Sequence, residues 1–142
     1  MADLLLDLIH YLARPGVGVV DPLLCFRDFM PDTPDRVIVI NEYAGRGSTT
    51  GVPGVVERSV QIVVRADRDS PDWARTKAWD IYKWLDTPEE RILDLRGTLS
   101  PTGTPLNRWA ILHPRQSPFR MDIDSVGRSK YGFNVGVVTF RD

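Results

Sequence analysis

The feature that most constrains the fold is a segment at 55–66 in which apolar and polar side chains alternate. One face would carry Val56, Val60, Ile62, Val64 and Ala66, and the other Glu57, Ser59, Gln61 and Arg65. A period of two is typical of a β-strand that buries one face. We therefore predict a strand with one face in solvent, whose apolar face needs a second layer to cover it.

A helix is predicted directly after this strand. Ser70 can act as the N-cap, Pro71 suits the first helical position, and Asp72 lies near the positive end of the helix dipole. The helix should run to about Leu85. Its apolar stripe would consist of Ala74, Ala78, Ile81 and Leu85. Because alanine is small, this stripe would let the helix lie close to a sheet.

A first amphipathic helix is predicted at 2–13. Its apolar residues Leu4, Leu5, Leu8, Ile9 and Leu12 recur at helical spacing. Arg14-Pro15-Gly16 should end it, because proline and glycine do not continue a helix. This helix also needs a sheet to cover its apolar stripe.

The remaining apolar segments predict further strands. They are 17–20, 23–29, 36–40, 92–96, 109–113, 119–123 and 131–140, with a hairpin tip at 124–130. Segment 36–40 is apolar on both faces, which indicates a central strand. The order of elements predicts an α+β protein with a single mixed, mainly antiparallel sheet, two amphipathic helices packed on one side, and a protruding β-hairpin. We expect a single domain over 1–142.

A glycine-rich segment, 44–54, separates two predicted strands. It holds four glycines and a proline, and Val52 is its only large apolar residue, so we expect a flexible loop. Its resemblance to a phosphate-binding loop is superficial, because it lacks the lysine and leads into the strand at Val55 rather than into a helix.

Composition excludes several classes of protein. The chain has 142 residues, enough for one domain, and its formal net charge of −1 gives no general attraction to nucleic acid. The single Cys25 has no partner within the chain for a disulfide and is expected to be structural. The first residues lack the basic start of a signal peptide, and no run reaches the roughly 20 apolar residues of a membrane span. We therefore expect folding in a reducing cytoplasm.

Residues that could perform chemistry are sparse. His10 and His113 lie in different predicted elements, and no spacing typical of metal ligands occurs. Carboxylate pairs such as Asp67 with Asp69 have arginine nearby, which is typical of solvated turns rather than acid–base sites. We expect no catalytic residue, no metal and no cofactor, and hence no enzyme.

The aromatic residues of the second helix allow two interpretations. Trp73, Trp79 and Trp84 fall outside the apolar stripe, so they either form a protein interface or are buried under the chain's own loops. A nucleic-acid surface formed by Arg75, Trp79, Tyr82 and Lys83 would be interrupted by Asp80 and Asp86. The candidate interface aromatics are Trp73, Trp79 and Tyr82.

Four segments together resemble a known family. They are DLLLDLIHYLARPGVG, FMPDTPDRVIVINEYAG, the segment PGVVERSVQIVVRADRDSPDWARTKAWDIYKWLD, and QSPFRMDIDSVGRSKYGFNVGVVTF. In their order along the chain and in their local sequence, these segments resemble the minor capsid and tail-terminator proteins of long-tailed bacteriophages. The resemblance implies a virion protein at the head-tail junction that forms a ring, commonly of six copies, which ends tail polymerisation and joins the tail to the head.

The resemblance also implies partners. These are further copies of the chain, the tail tube protein and head-tail connector proteins, with DNA only in transient passage through the lumen and no membrane. An assembly partner would order the glycine-rich loop, so its residues are candidates for an interface or for the lumen: Arg46, Gly47, Ser48, Thr49 and Thr50. A head-completion or other neck protein remains an alternative, as does a small nucleic-acid-binding module or enzyme.

Overall fold

The computed structural model describes residues 4–13, 18–47, 55–86 and 109–140. Its helices are α1 (Leu4–Ala13) and α2 (Pro71–Leu85), with a 3-10 helix at Pro22–Leu24. Its strands are β1 (Cys25–Arg27), β2 (Val37–Gly47), β3 (Val55–Arg65), β4 (Trp109–Pro114), β5 (Phe119–Ile123) and β6 (Ser129–Phe140). The α+β class predicted from the sequence is confirmed.

All six strands belong to one mixed sheet. Its order is β1-β2-β3-β6-β4, and β5 also pairs with β6. β1 runs parallel to β2, and every other pairing is antiparallel. β3 and β6 form the longest ladder, from Val55 opposite Phe140 to Arg65 opposite Lys130. The segment 36–40 predicted to be central forms the start of β2, between β1 and β3.

Both helices cover the same face of the sheet, which we call the helix face. One cluster of buried side chains joins α1, α2 and the residues of β2, β3 and β6 that point to this face. From the sheet it takes Ile38, Ile40, Val60, Ile62, Val64, Phe133, Val135 and Val137. The predicted helix stripe is also confirmed, because the residues of α2 that are buried are Ala74, Ala78, Ile81 and Leu85.

The opposite face, here the outer face, differs from the prediction. The sequence predicts that Ser59 and Arg65 face solvent, yet they are only 1% and 2% exposed, and Val63 on the same face is 4% exposed. The segment between β1 and β2 lies over the Arg65 end of this face. The guanidinium of Arg65 donates hydrogen bonds of 2.7–3.2 Å to the backbone carbonyls of Asp32, Pro34 and Asp35. The alternation of residues in β3 does not predict the burial of Arg65, because it carries no information about which connecting segment packs on the sheet.

Several boundaries also differ. Residues 18–20 are not a strand, and the segment 23–29 provides only the three residues of β1, preceded by a 3-10 helix. β2 continues to Gly47, so the first four residues of the predicted flexible loop 44–54 belong to a strand. Residues 48–54 and the predicted strand 92–96 lie outside the described residues.

The late hairpin is confirmed. β5 and β6 pair in an antiparallel arrangement, and Ile123 lies opposite Ser129. The Asp124 carboxylate accepts hydrogen bonds from the amides of Val126 (3.1 Å) and Arg128 (2.9 Å), which closes the turn between the strands. Gly127 adopts a φ of 87°, a conformation that favours glycine.

Candidate assembly surfaces

The outward side of α2 is the first candidate surface. Opposite its buried stripe lie Asp72, Arg75, Thr76, Trp79, Asp80 and Lys83, which together line a shallow depression. Their spacing of three and four residues puts them on one side of the helix. This surface contains Trp79 and Arg75, two residue types that are enriched in protein interfaces, among charged side chains of both signs.

The three aromatic residues predicted for an interface have different surroundings. Trp73 and Tyr82 are partly buried and pack against the core cluster. Tyr82 lies edge-on to Phe133 of the core, with ring centroids 5.7 Å apart, and edge-on to Trp79 at 5.3 Å. Trp79 is thus the outermost member of an aromatic row that begins in the core.

Trp73 is surrounded by cations of its own chain. The guanidinium of Arg36 lies 5.0 Å from the ring centroid, and the ammonium of Lys77 lies 6.0 Å from it. Arg36 is in turn held by Asp67 at 2.6 Å, and this hydrogen bond lowers the pKa of Asp67. These contacts give Trp73 an intramolecular role that does not require a partner.

Two ion pairs lie near the end of the sheet where β2 and β3 are connected. On the helix face, Arg58 forms two hydrogen bonds of 2.6 Å to the carboxylate of Glu42. Its neighbour Glu57, whose side chain points to the outer face, accepts a hydrogen bond of 2.8 Å from Arg115. We call these four residues the stem pairs. They join β2 to β3, and β3 to the residue that follows β4, near the end of the sheet where β2 and β3 are connected.

The predicted residues of that segment are only partly described. Arg46 and Gly47 are the last residues of β2, and the structure describes their backbone. Ser48, Thr49 and Thr50 lie outside the described residues. A role for these five residues in an interface or a lumen therefore stays a prediction.

A second group of contacts joins the segment 31–35 to the β5–β6 hairpin. The buried Arg128 reaches the Asp32 carbonyl (2.6 Å) and the carboxylates of Asp32 (3.0 Å), Asp35 (3.2 Å) and Asp124 (2.6 Å). We call Arg65, Arg128 and residues 31–35 the clasp. It fixes the connection between β1 and β2 against the opposite half of the sheet.

The exposed apolar side chains were not recognised from the sequence. Near β1 they are Leu23 and Phe29, 83% and 65% exposed, and near β5 they are Phe119, Ile123 and Val126, 39%, 47% and 53% exposed. We call these two sets the β1-edge patch and the β5-edge patch. Phe119 and Ile123 alternate with polar residues along β5, a pattern that predicts one buried face, yet both are exposed. The other members, Leu23, Phe29 and Val126, lie outside strands, where no period of two reveals their orientation.

Neither a cluster of metal ligands nor an activated cysteine is found among the described residues. No group of three or more His, Cys, Asp or Glu side chains could hold a metal ion in this part of the chain. Burial, followed by the nearby charge of Asp21, raises the pKa of Cys25 to about 12, so the thiol stays protonated near neutral pH and is a weak nucleophile.

Within the described segments, no helix has both the length and the apolar character needed to cross a membrane.

Comparison with known proteins identifies the family. The family model described as "Bacteriophage tail terminator protein" matches residues 11–138. This range includes strands β1 to β5 and most of β6. No curated protein sequence matches the chain closely enough to count as a relative. The matched segment contains α2, the clasp and the stem pairs. The chain therefore belongs to the bacteriophage tail terminator family and is a structural protein of the phage tail.

Proposed function

We propose that this chain forms a closed ring of six copies that caps the tail tube, ends its polymerisation and joins the tail to the head. The observation that carries the proposal is the family match over residues 11–138. The partners would be neighbouring copies of the chain, the tail tube protein and head-tail connector proteins.

Two features of the molecule support this role. Copies in a cyclic ring contact each other through two different patches, and the chain exposes apolar side chains near two different strands, β1 and β5. The outward side of α2 supplies a third surface, centred on Trp79, for a partner at the tube or the head.

Charge supports the passage of DNA through such a ring. The net charge is −1, so the chain as a whole would not retain DNA by releasing counterions. We expect Arg46→Ala to leave DNA retention by the ring unchanged, measured by filter binding at two salt concentrations. A large loss of affinity would instead favour a nucleic-acid-binding module.

The decisive experiment measures the mass of the assembled chain and the length of tail tubes formed in its presence. Native mass spectrometry should show six copies, either alone or after addition of tail tubes. Added during polymerisation of purified tail tube protein, the chain should shorten the tubes at substoichiometric amounts. Tubes of unchanged length at saturating protein would contradict the proposal, and binding to head-side connectors without binding to tubes would favour a head-completion role.

A further inference from the structure

The two exposed apolar patches flank opposite edges of one sheet. β1 is one edge strand, and β5 pairs with β6 on the other side of the sheet, with β2, β3 and β6 between them. Within the described residues, no further strand pairs with β1 or β5. An open edge strand bordered by apolar side chains is a surface on which another chain can add.

Strand directions at the two edges are compatible with such an addition. β1 runs parallel to β2, and the pairs β2–β3, β3–β6 and β6–β5 are antiparallel. β1 and β5 therefore run in opposite directions. When two copies lie side by side with their sheets in the same orientation, β5 of one copy meets β1 of the next as an antiparallel neighbour.

Charges at the two edges are complementary. Near β1, the exposed acids Asp21 and Asp28 outnumber Arg27. On β5, Asp122 is paired with Lys130 at 3.6 Å, which leaves Arg120 as an exposed cation without an ion pair among the described residues. A contact between the edges would bring Arg120 towards acids of the neighbouring copy.

We propose that the β1-edge patch of one copy packs against the β5-edge patch of the next copy, with Arg120 facing Asp21 and Asp28. The partner is a second copy of this chain, and the contact is head-to-tail, so that repetition closes a ring. This inference rests on the proposed ring and adds which surfaces of neighbouring copies meet.

Cross-linking between two single-cysteine-addition variants tests the contact. Leu23→Cys and Ile123→Cys are each made in a Cys25→Ser background, co-produced so that both can enter one ring, and treated with a short bis-maleimide. A head-to-tail contact predicts a covalent dimer in the mixture and far less in either variant alone. The matched control replaces Leu23→Cys with Thr76→Cys, which lies on the outward side of α2 and should not cross-link to Ile123→Cys.

The outcomes separate this inference from the ring itself. A hexameric mass without the mixed cross-link would overturn the edge contact and leave the ring standing. Cross-linking of Leu23→Cys to itself would show a symmetric contact and would also overturn it. A monomer at every concentration, with and without tail tubes, would contradict both proposals.

A second set of variants measures how much the two patches contribute to association between copies. Phe119→Ser combined with Ile123→Ser should lower the association constant at least about tenfold, because two exposed apolar side chains would no longer be buried. Arg120→Glu should also lower it, whereas Arg120→Lys should retain most of it. Circular dichroism checks that each variant stays folded, and equal association of Arg120→Glu and Arg120→Lys would argue against the assigned charge contact.

Discussion

Arg65 and Arg128 are both buried at one end of the sheet, yet their surroundings shift their pKa values in opposite directions. Burial and the charge of Arg128 lower the pKa of Arg65, whose hydrogen bonds go to backbone carbonyls. Burial also acts to lower the pKa of Arg128, but hydrogen bonds to Asp124 and Asp32 outweigh it and raise this pKa. Arg128 is therefore the charged centre of the clasp.

Loss of Arg128 should destabilise the folded chain. We expect Arg128→Met to lower the free energy of unfolding by about 1.5–3 kcal/mol, because several charge-assisted hydrogen bonds are lost. Urea denaturation at pH 7 measures the effect. Arg75→Met, an exposed change on α2, is the control and should alter stability by less than about 0.5 kcal/mol. Equal effects of the two changes would show that the clasp adds no stability.

The carboxylate of Asp124 should make part of the stability dependent on pH. Its burial acts to raise the pKa, and hydrogen bonds from Arg128 and from the Val126 amide outweigh this, so the pKa lies below its usual value. A lowered pKa in the folded state gives stability that is complete above the unfolded-state pKa of about 3.9 and is lost as the pH falls through the folded-state pKa.

Comparison with Asp124→Asn isolates that contribution. The variant should be less stable than the natural chain at pH 7, and the difference should shrink as the pH is lowered below about 4. Urea denaturation across that range of pH measures it. A difference that stays constant down to acid pH would show that the charge of Asp124 is not involved.

At the scale of elements, the close approach of strands β3, β5 and β6 depends on glycine. A Cβ atom on Gly132 would lie 2.7 Å from the Ile62 carbonyl oxygen and 3.0 Å from the Met121 sulfur. On Gly136 it would instead meet the guanidinium of Arg115, at 3.2 Å from Nε. Backbone in a central strand cannot move as readily as the end of a long side chain.

These two glycines make a matched pair of tests. Gly132→Ala should destabilise the chain by about 1–3 kcal/mol, the usual range for overpacking. Gly136→Ala should lower the free energy of unfolding by clearly less, because the side chain of Arg115 can shift. That shift would weaken the ion pair of Arg115 with Glu57. Thermal denaturation of the two variants gives the comparison, and an equal loss would contradict the assigned role of the Ile62 carbonyl.

At the scale of the whole molecule, the helices occupy one face of the sheet and leave its edges and the outward side of α2 for other contacts. The aromatic row from Phe133 through Tyr82 to Trp79 connects the core with that outward side. Trp79 therefore has a supported ring that projects to the surface of α2, whereas Trp73 is engaged by Arg36 and Lys77.

This difference predicts separate effects on folding and on assembly. Trp73→Ala should lower the free energy of unfolding by about 2–3 kcal/mol, because packing against the core is lost. Trp79→Ala should cost less stability and should weaken binding to tail tubes or connectors, measured by co-sedimentation. Normal co-sedimentation of folded Trp79→Ala would exclude the outward side of α2 as a partner surface.

Local periodicity was sufficient to predict the elements that carry the fold. The alternation in β3 and the stripe of α2 each follow from the repeat of a single element, so neighbouring residues alone specify them. The hairpin of β5 and β6 was predictable for the same reason, since its strands are separated by a short polar turn. The family resemblance also spans these contiguous segments.

The packing of distant segments determines which parts of the outer face are covered and which apolar residues stay exposed. Ser59 and Arg65 alternate as solvent-facing residues do, yet Arg65 lies beneath residues 32–35, which come from a distant part of the chain. Likewise, Leu23 and Ile123 are apolar but exposed because they flank opposite edges of the sheet. Strand order and the path of connections set these environments, and neither is encoded in the period of any one segment.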